Sequence, residues 1–195
     1  MKKLVLLCAF GSLLLVACQN QNSSSQNTPP PAGMTVESVP GAMLDYVYQG
    51  ESQKIEEEGF WKNGKKNGIW VTYHNDAKHL PKVVAHYVDG VLEGPYMEVN
   101  NRAQVEVLAS YRNNKLHGRY AKYKFNRMTE QHFYKNGVLD GPMTTYHQNT
   151  DKIQKLIEFK EGKEHGKYQF FNEEGRLTME YIYENGEKKS GGIIE

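Results

Sequence analysis

Imidazole and carboxylate are the reactive groups this chain holds in number. Seven histidines occur among its 195 residues: His74, His79, His86, His117, His132, His147 and His165. No two of them stand at metal-ligand spacing within one element. His117 and His165 each precede a glycine, and His74 and His147 each follow a tyrosine, so their recurrence reads as decoration of a repeated unit. Glu56-Glu57-Glu58 is the only acidic run. It lacks the alternating oxygen ligands of a calcium loop and reads as a solvated edge. No serine sits in a nucleophile elbow, and no glycine-rich phosphate loop opens a helix. The remaining acids are scattered over turns and edges, with no insertion to gather a pair for glycan hydrolysis. The expectation is a chain with no catalytic residue, no metal and no cofactor.

Thiol chemistry is confined to the first twenty residues, at Cys8 and Cys18. The body therefore has neither a disulfide framework nor a cysteine metal site. Met1-Lys2-Lys3 is a positive start, Leu4 to Val16 is a short apolar run, and Ala17 is the small residue before Cys18. That is the pattern of a secretory leader over residues 1–17, too short for a comfortable membrane span. "LVAC" resembles the lipobox of bacterial lipoproteins. The resemblance implies cleavage before Cys18 and acylation of its thiol and new amino group, giving stable membrane attachment through several chains. Residues 19–33, "QNQNSSSQNTPPPAG", are too polar to fold and read, with Cys18, as a disordered tether over 18–33. Extended, they reach roughly 50 Å; as a coil, about 20 Å. Gln19 is not aspartate, and the lipoprotein sorting rule of many Gram-negative bacteria then implies the outer membrane.

Beyond the tether the elements are set by repetition. A segment running from aromatic to aromatic through a tight turn occurs at Trp61, Tyr87, Tyr111, Tyr134 and Phe159, and a sixth starts at Tyr183. Each has a turn pair: Asn63-Gly64, Asp89-Gly90, Asn113-Asn114, Asn136-Gly137, Glu161-Gly162 and Asn185-Gly186. These residues tolerate the positive φ of a type I′ turn. Each is closed by a further glycine, at Gly68, Gly94, Gly118, Gly141 and Gly166, with Ser190 in the sixth place. A near-constant period of this size marks a repeat architecture. The flanks alternate and are rich in Tyr, Val, Phe and Trp, so the chain reads as all-β, two antiparallel strands per repeat. Charge is plentiful at 24% but nearly balanced, with a formal net of +1, which argues against a nucleic-acid partner.

With two-residue loops and no bulge, Trp61 faces Lys66 and Gly59 faces Gly68. The same register sets Ala85 against Gly94 and Ala109 against Gly118, with His132 and Ile157 opposite the later glycines. Cross-strand partners share a face. Trp61, Gly68 and Trp70 then share one face, and Tyr73, Val99, Tyr123, Tyr146 and Phe171 lie on the other. Packing between hairpins is the ordinary role of any one of these rings, and an exposed groove for a partner is the sharper one; both can hold for different rings. The aromatics nearest the glycines, Trp61, Trp70, Tyr96, Tyr120 and Tyr168, are the candidate contacts for a partner, since aromatic strips are typical of interfaces.

The repeated [WYF]-x-[ND]-G-x3-G-x-[WY] resembles the MORN repeat, in the variant of bacterial YwqK-type proteins often labelled antitoxins. It covers about residues 55 to 190. Asn114, Glu161, Met143 and Ser190 depart from the pattern. The resemblance implies an elongated, twisted, single-layer antiparallel meander of tandem hairpins, stabilised by stacking of neighbours. Residues 34–58 are expected to form an N-terminal capping hairpin with a turn near Gly50, residues 59–195 the repeat sheet, and "SGGIIE" the end of the last strand.

These readings converge on a non-enzymatic, lipid-anchored envelope protein whose sheet is a scaffold for a protein partner. The family label implies an alternative, an antitoxin or immunity lipoprotein that neutralises a toxin by binding it.

Overall fold

In the computed structural model, residues 29, 32–38, 45–51 and 54–194 are described. The leader, Cys18 and nearly all of the tether lie outside them. Alternating apolar residues, β-branched and aromatic side chains and left-handed turn pairs leave no helix among the described residues. They form fifteen strands of one open antiparallel sheet.

The strands are β1 Met34–Ser38, β2 Asp45–Glu51, β3 Lys54–Lys62, β4 Lys65–Tyr73 and β5 Pro81–Val88. Then come β6 Val91–Val99, β7 Val105–Arg112, β8 Lys115–Lys124, β9 Arg127–Lys135 and β10 Val138–Leu139. The series ends with β11 Gly141–Tyr146, β12 Ile153–Lys160, β13 Lys163–Phe171, β14 Leu177–Glu184 and β15 Glu187–Ile193. Spatial order follows chain order, with β10 a short spur on β9. Thirteen strand spacings make a sheet roughly 60 Å across. The single-layer meander of hairpins is thus the architecture of this chain.

All six turn pairs close two-residue loops: Lys62 pairs with Lys65, Val88 with Val91, Arg112 with Lys115, Lys135 with Val138, Lys160 with Lys163 and Glu184 with Glu187. Both residues of each pair have positive φ, Gly64, Gly90, Gly137, Gly162 and Gly186 among them. A further tight turn, Phe125-Asn126, joins β8 to β9.

The bulge-free register holds only near the turns. Trp61 does pair with Lys66, but Gly59 pairs with Trp70, not Gly68. Likewise Ala85 pairs with Tyr96, Ala109 with Tyr120 and Ile157 with Tyr168. Between those pairings one strand advances two residues and its partner four, so each closing glycine sits in a bulge with two extra residues. Gly68, Gly94, Gly118, Gly141 and Gly166 all have positive φ, from 73° to 122°. Gly118 shows why the position is glycine. A Cβ there would find its nearest neighbour at 3.7 Å, so space is available; φ of +90° is what an L side chain resists. In the sixth hairpin, where Ser190 replaces glycine, the bulge shrinks to one residue and Gly191 takes the left-handed conformation instead. An even insertion preserves alternation, so Trp61 and Trp70 still share a face.

At the N-terminal end Glu51 pairs with Lys54, so β2 and β3 close next to Gly50, which has positive φ and stands at a register shift that leaves Glu56 of β3 out of the ladder. β1 adds a further strand outside β2, and β3 belongs to the first repeat hairpin.

With no second layer among the described residues, few of their side chains are fully covered. The buried set is Val47, Trp61, Trp70, Ala85, Ala109, Ala121, Ile157 and Thr144. Val47, Trp61 and Trp70 form one cluster, joined by Met34 and Tyr87. Hairpins are also sewn tip to tip. The Gly90, Asn114, Gly137, Gly162 and Gly186 amides donate to Lys66, Leu92, Leu116, Leu139 and Glu164 carbonyls of the preceding hairpin at 2.7–3.1 Å.

Candidate binding surface

Because bulges of two residues keep the parity of the strands, one row of partners crosses the sheet on a single face. It runs Val47, Gly59, Trp70, Ala85, Tyr96, Ala109, Tyr120, His132. It resumes as Met143, Ile157, Tyr168, Tyr181. Large rings alternate with Gly59, Ala85 and Ala109, and the small residues are what let the rings lie down. A Cβ added to Gly59 would stand 2.4 Å from Trp70 Cδ2. Four of the aromatics that open repeats flank this row and pack on it. Trp61 meets Trp70 at 6.2 Å between ring centroids, Tyr111 meets Tyr96 at 5.3 Å, Tyr134 meets Tyr120 at 6.1 Å and Tyr183 meets Tyr168 at 5.6 Å. Such edge and tilted contacts suit the ring quadrupole.

The five candidate contacts are therefore on one face but not equivalent. Trp61 and Trp70 are 7% and 3% exposed and offer a partner little. Trp70 lies on Gly59, donates its indole N–H to the Phe60 carbonyl at 2.9 Å, and carries the Lys66 ammonium 4.0 Å above its ring. They are packing residues. Tyr96, Tyr120 and Tyr168 are half-buried and keep part of each ring at the surface.

Carboxylates line this strip. Tyr96 donates its hydroxyl to Glu98 at 2.8 Å. Glu130 stands between Lys122, at 3.8 Å, and His132 Nε2, at 3.4 Å. His132 Nε2 is buried and, beyond this ion-pair contact, has no hydrogen-bond partner. Burial pushes the His132 pKa down, against the pull of Glu130. The phenols go the other way. Burial first, then Glu98, raises Tyr96 and Tyr111, and burial with Glu130 foremost among its charges raises Tyr120 and Tyr134. These are neutral rings at any physiological pH, a surface for packing and hydrogen bonding.

The acidic run is a solvated edge only at Glu56, which is exposed. Its residues alternate across the sheet. Glu58 accepts the hydroxyls of Tyr46 and Tyr73 on the face opposite the strip, and Glu57 pairs with Lys66 at 3.0 Å. That face carries an apolar hollow of about 440 Å³ near Val84, Met97 and Leu108.

His117 and His165 have a definite task. Each accepts, at Nδ1, the first turn amide of the next hairpin: Asn136 N–H at 3.3 Å and Asn185 N–H at 3.5 Å. Glu93 and Asp140 do the same for Asn113 and Glu161, at 2.9 and 3.4 Å. Asn67 reaches Asp89 at 3.0 Å. One polar residue before each bulge glycine thus ties hairpin to hairpin. A polar residue recurring at that position was the signal for it, Asn67 donating and the other four accepting. His74 and His147 are equivalent too, each bonding the Val99 or Phe171 carbonyl, at 2.7 and 2.8 Å.

No group of three or more His, Cys, Asp or Glu that could hold a metal occurs among the described residues. No protein-family model matches the chain. No curated protein matches it either.

Proposed function

We propose that this chain is a non-enzymatic, lipid-anchored envelope protein whose sheet is a scaffold for a protein partner. The carrying observation is the strip of half-buried Tyr96, Tyr120 and Tyr168 on one uncovered face, each ring braced by a neighbour and kept neutral. Rings held in place lose little freedom when a partner covers them, which favours binding. The leader ending at Ala17, Cys18 and the polar tether supply the anchoring half of the reading. A photoreactive phenylalanine analogue in place of Tyr120, expressed in cells, tests the scaffold: a discrete adduct is expected, and none when the analogue replaces Gly175 at a loop. No adduct at Tyr120 sinks the scaffold reading. Membrane fractionation beside Cys18→Ala, with lipid labelling, tests the anchor. If the unaltered protein is found lipid-free in the cytoplasm, the anchor is wrong and toxin neutralisation becomes the leading alternative.

A further inference from the structure

Within each of the first five repeat hairpins the ladder ends at the same place, four residues past the bulge glycine, as at Glu57–Thr72 in the first and Glu130–Thr145 in the fourth. Past this point the strands part, because the outgoing strand pairs onward with the next hairpin. The parting leaves a wedge. In the first and fourth hairpins the wedge is built from the same triplet, Thr72-Tyr73-His74 and Thr145-Tyr146-His147, 73 residues apart. The histidine lock on the next hairpin is the same in both.

The two wedges differ in what fills them. In the first, the loop folds back and lays the His79 imidazole flat on Tyr73, 4.6 Å between centroids at 7°. Asp76 holds that loop by accepting the Lys78 and His79 amides at 3.0 and 3.2 Å. Only about 260 Å³ remains. In the fourth, residues 148–152 are Gln, Asn, Thr, Asp and Lys, and no ring is available. Among the described residues no ring lies on Tyr146. The Thr145 hydroxyl is buried with no hydrogen-bond partner. The space is about 810 Å³.

We propose that the fourth wedge binds an aromatic residue bearing a free carboxylate, with its ring on Tyr146 where His79 lies on Tyr73. The first wedge supplies the stacking geometry from within the same chain. The walls supply the charge: Lys124 and Arg127 line the wedge, and its one carboxylate, Glu130, is already engaged by Lys122. Arg127 bridges to the Asn149 carbonyl and so closes one end of the wedge. Phe125, held by the Phe125-Asn126 turn, sits at the lip and is 62% exposed. Thr145 is placed to meet a polar group of the ligand. The ligand chemistry has two sources, a free aromatic acid or the last residue of a peptide. This site shares no residue with the tyrosine strip other than Glu130, at its edge, and its fate is separate from that of the preceding proposal.

The test is titration of the full-length chain, followed by NMR at the Thr and Tyr side chains. The probes are N-acetyl-phenylalanine, the peptide Gly-Gly-Phe and Gly-Gly-Phe amide. Signals of Thr145 and Tyr146 are expected to move, with those of Thr72 and Tyr73 still. The amide is expected to bind about tenfold more weakly than the acid, and Arg127→Gln to erase that difference. Tighter binding of the peptide than of N-acetyl-phenylalanine assigns the source to a chain terminus, and equal binding to a free acid. Tyr146→Ala removes the stacking surface and should abolish binding of every probe, with the β-sheet circular dichroism unchanged as the check on folding. His79→Ala should leave the stoichiometry at one, because the first wedge sets Glu56 beside its single lysine, Lys54. The proposal is overturned if no probe moves Thr145 or Tyr146, if acid and amide bind alike, or if folded Tyr146→Ala binds as the unaltered chain does.

Discussion

The indole of Trp70 rests on the bare Cα of Gly59, its partner across the β3–β4 ladder. A methyl group between them would stand 2.4 Å from Trp70 Cδ2, well inside contact distance. The largest side chain of the core is therefore seated on the smallest residue of the sheet, and the same large-on-small relation recurs as Tyr96 on Ala85 and Tyr120 on Ala109.

Gly59→Ala should therefore destabilise by overpacking, about 1–3 kcal/mol in denaturant unfolding. Gly192→Ala, where a Cβ meets nothing within 4 Å and φ is unconstrained, serves as the matched control and should leave the midpoint nearly unchanged. Equal effects at the two sites would refute the seating.

Gly118→Ala separates conformation from space. Its Cβ fits, so the loss should be that of a left-handed alanine alone, roughly 1–2 kcal/mol. Gly118→Asn should recover part of that loss, because Asn tolerates the left-handed region. A similar loss for both variants would count against the conformational account.

The acceptors before the bulge glycines set coupling between hairpins. Glu93→Ala removes the acceptor for the Asn113 amide and should lower stability by about 1 kcal/mol. Hydrogen exchange at that amide should speed up, while exchange at the Asn185 amide, three hairpins further on, should not change. Unaltered exchange at Asn113 would remove Glu93 from this role.

Alkali should unfold the sheet. Tyr73, raised by burial and then by Glu58, has its pKa pushed up to about 12, and Tyr46 is raised in the same way. The unfolded chain loses these protons near pH 10, while the folded chain holds them. Stability from this source is full below pH 10 and falls as pH rises toward 12. Phenolate absorbance and loss of sheet signal should rise together over that window. Glu58→Gln should bring Tyr73 ionisation to lower pH.

The hairpins were legible in the sequence because their cause is local. Asn63-Gly64 and its counterparts dictate a turn without help from elsewhere, and the meander follows from repetition. The bulges were not, although each has a glycine at its centre. A glycine opposite Gly59 and a glycine left out of the ladder have the same sequence, and only pairing on both sides of β4 decides between them. Packing was the ordinary expectation for any ring, but which rings would be covered, as Trp61 and Trp70 are, was not legible for a related reason: exposure on a single-layer sheet depends on neighbours two strands away. The triplets Thr72-Tyr73-His74 and Thr145-Tyr146-His147 were plain to read, but their meaning depends on where the following loop goes, and His79 lies five residues beyond.

Spatial order that copies chain order also has a mechanical consequence. β1 and β15 are opposite margins of the sheet, so tension applied between the two ends of the chain meets one strand pair at a time. Such a sheet unzips in sequence, each small rupture bearing the load alone, and it yields length at low force. A chain held at one end and gripped at the other would behave as a compliant spring.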